Sequence, residues 1–122
     1  MFFESMDPSW QRLLMPSREL LDQIEQELID AQNLTPNRNQ VMRAFELPVG
    51  HVRVLLLGQD PYPTDGMACG FAFANTPGTK TPQSLKNLMK ELQSDLPGVS
   101  ASADLARCCL LYTSDAADEG LG

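Results

Sequence analysis

The chain is poor in the residues that announce metal, disulfide or membrane chemistry. It has a single histidine, His51, and three cysteines, Cys69, Cys108 and Cys109, in 122 residues. The cysteines are odd in number, two are adjacent, and none shows the paired spacing of a zinc site, so free thiols in a reducing compartment are expected. No run of about eighteen apolar residues is present to form a spanning helix. The opening Met1-Phe2-Phe3-Glu4-Ser5-Met6-Asp7 has no basic segment and no long apolar run, which argues against a secretory signal and makes a cytoplasmic location the default expectation. Basic residues are also scarce, and the net charge is -7. At first sight that balance opposes a nucleic-acid partner, because phosphate binding is driven mainly by Lys and Arg.

The distribution of charge softens that objection. Residues 51–92 hold Asp60, Asp65 and Glu91 against Arg53, Lys80, Lys86 and Lys90, while both flanks are acidic. Exposed charges farther away than roughly 8–10 Å are largely screened at physiological salt, so a ligand of the middle segment need not sense the whole-chain charge. The length suits one domain of modest size, and a 43% hydrophobic content is ordinary for a globular protein.

Val52-Arg53-Val54-Leu55-Leu56-Leu57 is a short apolar run rich in Val and Leu that breaks at Gly58. This pattern predicts a strand buried on both faces of a parallel sheet. Gln59, Asp60, Pro61, Tyr62 and Pro63 follow directly. The two prolines fix their own φ and disfavour helix at the preceding residue, so Asp60 and Tyr62 sit on stiff backbone. Ligands of open α/β sheets lie beyond the carboxyl ends of strands, which makes Gln59, Asp60 and Tyr62 the leading site candidates.

The remaining segments read as supports for this one. Residues 1–16 form an irregular lead-in or a single helical turn, with Trp10 as a packing anchor. Ser17 starts a helix whose apolar stripe is Leu20, Leu21, Ile24, Leu28 and Ile29, with Glu19, Asp22, Glu25, Glu27 and Asp30 on a solvated face. A linker around Pro36 leads to a short helix over residues 39–45, ended by Pro48 and Gly50. Helix, helix, strand is the beginning of an α/β layer. After the strand, Gly66 and Gly70 flank a loop that leads to Phe71 and Phe73, and the pattern allows those rings either to fill the core or to face a ligand. Another helix begins near Thr81-Pro82-Gln83-Ser84, with Thr81 as N-cap, Pro82 at the first position, and Leu85, Leu88, Met89 and Leu92 as its buried stripe. A helix start with Ser84 and Lys80 beside it suits a phosphate, although most helix starts bind nothing.

The run Gly58-Gln59-Asp60-Pro61-Tyr62-Pro63, with Gly66, Gly70 and Phe73 following, closely resembles the first signature of the family 1 uracil-DNA glycosylases. The similarity continues through Ser84-Leu85-Lys86-Asn87-Leu88-Met89-Lys90-Glu91-Leu92, reaches back to Val41-Met42-Arg43-Ala44-Phe45, and covers residues 8–107 or so. It implies a three-layer α/β/α fold with a parallel central sheet. It also implies hydrolysis of the N-glycosidic bond of a flipped-out uracil in single- or double-stranded DNA by a monomer, with no membrane, metal or cofactor. By resemblance, Asp60 positions or activates the attacking water and stabilises positive charge on the sugar. Tyr62 walls the pocket beside uracil C5 against thymine's methyl group, and Phe73 stacks on the base. Gln59 lines the pocket through its backbone, and Ser84 grips a DNA phosphate.

The resemblance stops near Arg107. The family's later asparagine, which reads the uracil edge, and its late His-Pro-Ser loop have no counterpart, and His51 matches nothing catalytic. Residues 1–107 are therefore expected to be the N-terminal part of such a domain, with only the first part of the sheet present, and 108–122 an unmatched tail. For the chain alone, little or no activity and poor solubility are expected. Two other readings use the same residues. One is a non-catalytic nucleic-acid-binding or partner-binding remnant built on the Ser84 helix and its lysines. The other is a flavodoxin-like ligand-binding domain, which Pro61 and Pro63 disfavour by removing two N–H donors.

Overall fold

A computed structural model describes residues 1–98; the cysteine pair, the end of the family resemblance and the tail expected from Cys108 lie outside the described residues. Four α-helices order the described part: α1 (Phe2–Ser5), α2 (Pro8–Leu14), α3 (Arg18–Glu27) and α4 (Gln83–Asp95). Short 3₁₀ turns at Met15–Ser17, Arg38–Gln40, Arg43–Glu46 and Val49–His51 connect them.

The lead-in is more structured than its sequence suggests. Phe2, Phe3 and Met6 are among the most deeply buried residues of the described chain. A four-residue helix is too short to show a 3.6-residue period, so the pattern that reveals longer helices is absent there. Asp7 caps α2 by accepting from the Ser9 amide at 3.0 Å, and Pro8 occupies the first helical position. Trp10 is the anchor expected of it. Its ring meets Phe45 edge-on at 5.0 Å, and its indole N–H donates to the Leu47 carbonyl at 2.7 Å. The Asp7 amide donates to the Phe45 carbonyl, and the Val49 amide donates to the Ser9 hydroxyl, so α2 is fastened to residues 45–49.

Helix α3 starts after Ser17, as its stripe predicts, but the stripe is only partly covered. Leu21 and Leu28 are half-buried, whereas Leu20 is 58% exposed. Helix α1 packs along α3, with the Arg18 guanidinium 4.6 Å above the Phe3 ring and Glu25 accepting from the Phe2 amide at 2.9 Å. The Arg38 guanidinium donates to the Leu28 and Ile29 carbonyls, which satisfies acceptors at the end of α3. The segment expected as one helix over 39–45 is instead two 3₁₀ turns, with Val41 and Met42 between them.

The largest difference from expectation is at Val52–Leu57. Among the described residues this run pairs with no neighbouring strand, and Val54, Leu55, Leu56 and Leu57 are 49–79% exposed. A parallel strand is buried by neighbouring strands and the helices that cross over between them, and the described residues contain no partner strand for this run. The only β-type pairing among them is an isolated antiparallel bridge between Ala68 and Asn75, which closes the loop beyond the site.

Two outcomes follow from the N-terminal packing. Phe3→Ala should lower stability by about 3–4 kcal/mol in a chemical melt, since Phe3 is only 2% exposed. The Phe2 amide, and after it the terminal ammonium, hold the Glu25 carboxyl below the usual glutamate range. Its contribution is therefore present at neutral pH and lost as pH falls through that lowered value. Glu25→Gln should cost about 1 kcal/mol near neutrality and should flatten the acid side of the melting-temperature profile; an unchanged acid limb would count against this contact.

Candidate functional site

Gly58, Gln59, Asp60, Pro61 and Tyr62 form one wall of a cleft of about 390 Å³. Phe71, Ala72, Phe73 and Ala74 form the facing wall, and Ser84 contributes from the start of α4. All five site residues expected from the sequence, Gln59, Asp60, Tyr62, Phe73 and Ser84, thus line one hollow.

Tyr62 ties the walls together. Its hydroxyl donates to the Phe73 carbonyl at 2.7 Å and lies 3.2 Å from the Ser84 hydroxyl, which is left as the donor of that second bond. The phenol is thereby fixed at its tip and half-buried along its ring. Phe73 is unusual in its backbone: φ is 65°, the left-handed region that few aromatic residues occupy. Such a conformation persists where surrounding contacts hold it, and it clusters at ligand sites. The Phe73 ring edge stands against Gly58, where an added Cβ would lie 3.9 Å from Cε2, an ordinary contact distance. The Phe73 ring edge therefore packs against the signature backbone at Gly58, and both line the hollow.

The loop carrying Phe71 and Phe73 is braced from inside. Asn75 is buried and its amide donates to the Thr79 hydroxyl at 2.9 Å and to the Thr79 carbonyl at 3.3 Å. The Thr76 amide donates to the Met67 carbonyl at 2.8 Å. Gly70 adopts φ 99°, and a side chain there would collide with the Gln40 carbonyl oxygen and with Arg43 Cβ, so only glycine fits.

Three features differ from the sequence-based picture. Asp60 is exposed on the lip of the cleft, not in a water-poor recess, because no described element covers it. Helix α4 begins one residue later than expected. Pro82 precedes the first turn, Thr81 makes no cap, and Ser84 bonds Tyr62. Of the α4 stripe only Leu85 is fully buried; Met89 is half-buried, and Leu88 and Leu92 are exposed. Pro36 and Val41 also line the cleft, which a linker proline and an isolated valine gave no local sign of. Among the described residues no three His, Cys, Asp or Glu side chains cluster as metal ligands, and no helix is long and apolar enough to cross a membrane.

On the other side of Tyr62 a second hollow of about 400 Å³ is flanked by Lys80 and Lys86. The aromatic cleft thus adjoins a hollow whose lining includes two lysines.

No protein-family model matches the chain. Individual proteins do. A uracil-DNA glycosylase of Parafrankia sp. (strain EAN1pec) is 40% identical over 96 residues, covering 75% of this chain and 43% of its own length. That of Corynebacterium efficiens is 40% identical over 101 residues, covering 79% and 42%. A third, from Thermobifida fusca, is 39% identical over 98 residues, covering 76% and 43%. The chain is a homologue of the uracil-DNA glycosylases. It spans less than half the length of these curated relatives.

Against this glycosylase homology the braces of the cleft become testable. Tyr62→Phe should lower stability by about 1 kcal/mol, since it removes the hydroxyl and keeps the ring. Gly70→Ala should cost about 2–3 kcal/mol, from strained φ and overpacking together. Denaturant melts measure both, and a neutral Gly70→Ala would contradict the packing around that loop.

Proposed function

We propose that the cleft is the base-binding half of a uracil-DNA glycosylase site, acting on the N-glycosidic bond between uracil and deoxyribose in DNA. The observation that carries the reading is that Gln59, Asp60, Tyr62, Phe73 and Ser84 converge on one hollow, in a chain 40% identical to proteins of that name.

In this reading an extruded base lies between the Phe73 ring and the backbone at Gln59. Stacking on an aromatic face is tolerant of base identity, so discrimination falls to Tyr62, fixed by its two hydrogen bonds where a 5-methyl group would collide. Asp60 faces the sugar side and orients a water toward C1′. As the water oxygen bonds to C1′, the C1′–N1 bond breaks and its electron pair leaves on uracil N1. The water's proton passes to the Asp60 carboxylate, the departing base takes up a proton, and an abasic sugar remains. A fixed anion beside the developing sugar cation lowers the barrier most when water is excluded. The exposure of Asp60 implies weak catalysis by the described residues alone.

The same proposal includes a three-layer α/β/α fold, with Val52–Leu57 as a strand of a parallel sheet, supported by the apolar run Val54-Leu55-Leu56-Leu57 and its exposure among the described residues. It includes a monomer acting on single- or double-stranded DNA in the cytoplasm, with phosphates along the Lys80–Lys86 groove.

The test is a competition between single-stranded oligonucleotides that differ only in one uracil or thymine. The uracil strand should bind about tenfold more tightly, the scale expected for one methyl group. Tyr62→Ala should erase the preference. Any uracil released in single-turnover reactions should fall about 100-fold in Asp60→Asn. Equal affinity for the two strands in the unmodified chain would overturn the reading.

A further inference from the structure

We propose that Arg43 is a positioning residue of this cleft: it grips the Cys69–Phe71 backbone from behind and so sets where the Phe73 ring stands. The inference deepens the uracil reading and rests on it.

Arg43 opens the 3₁₀ turn Arg43–Glu46 and does not line the cleft. Its Nη1 donates to the Cys69 carbonyl at 3.0 Å, and its guanidinium lies over the Phe71 ring, 4.7 Å from the centroid. Its Cβ is among the atoms that a side chain at Gly70 would strike, at 2.8 Å. Three consecutive loop residues are therefore set against one side chain. Two residues on, Phe73 turns into the left-handed region at φ 65°, a conformation that depends on being held. Tyr62 holds the far end of the loop through the Phe73 carbonyl. With Arg43 at one end and Tyr62 at the other, the intervening backbone has little freedom to swing the ring out of the hollow. Arginine suits the task because its planar fork can donate in its own plane and stack through its face at once. A lysine ammonium can supply the donor but not the stack.

The test uses the 122-residue chain with Arg43→Ala and Arg43→Lys. One readout needs no ligand: the nuclear Overhauser contact between the Phe73 ring and the Gly58 α protons, which face each other in the structure. The other is the uracil-over-thymine preference of a single-stranded oligonucleotide. Arg43→Ala should lose the Phe73–Gly58 contact and, because a base no longer pinned by the ring is not pressed against the Tyr62 wall, erase the roughly tenfold preference, while the amide signals of Phe2, Phe3 and Trp10 stay in place. Arg43→Lys should restore part of both, and if the alanine form fails to fold, a weakened contact in the lysine form supports the positioning role in its place. Contact and preference unchanged in the folded variants would overturn the proposal. Should the unmodified chain show no preference for uracil, the functional reading fails. The Phe73–Gly58 contact then decides the positioning role alone: lost or weakened it stands, retained it falls.

Discussion

The hydrogen bond from the Tyr62 hydroxyl to the Phe73 carbonyl is the contact on which the cleft depends. It joins two segments that are each stiff for a different reason. The Tyr62 side is stiff because Pro61 and Pro63 restrict the backbone around it. The Phe73 side is stiff because its loop is closed by the Ala68–Asn75 bridge and filled by the buried Asn75 network. Neither brace alone would define a hollow. One bond between them, with Ser84 as second partner of the same hydroxyl, sets its width.

In the proposed reading, that geometry divides the work of recognition from the work of bond breaking. The recognition side is well built: a fixed phenol and an aromatic ring held in a strained backbone. The bond-breaking side is open. Asp60 stands on stiff backbone but in contact with solvent, where the field of a carboxylate is weakened by water. The exposed Val54–Leu57 run belongs with this openness, since it leads directly to Asp60 and is uncovered among the described residues.

What was legible in the sequence was local. Asp60 and Tyr62 could be placed together because the intervening proline acts locally, and α3 and α4 could be placed because an apolar stripe at three- and four-residue steps needs no partner to be recognised. What failed was whatever depended on distant chain. Phe2, Phe3 and Met6 form a core that a four-residue helix does not advertise. The burial expected at Val52–Leu57 requires neighbouring strands, which the described residues do not supply. Arg43 reaches the Cys69 carbonyl across 26 residues of sequence, a contact no local pattern encodes. The expected cap at Thr81 was a competition between adjacent residues, and Ser84 entered the site through a bond to Tyr62 instead.

Chemical-shift mapping of the isotopically labelled chain with a short uracil-containing single strand, and with its thymine counterpart, examines the proposed base cleft most directly. Uracil should move the signals of Gly58–Tyr62, Phe71–Ala74 and Ser84 together, and thymine should leave them nearly still. Shifts confined to the Phe3 and Trp10 region, or identical responses to the two strands, would contradict it.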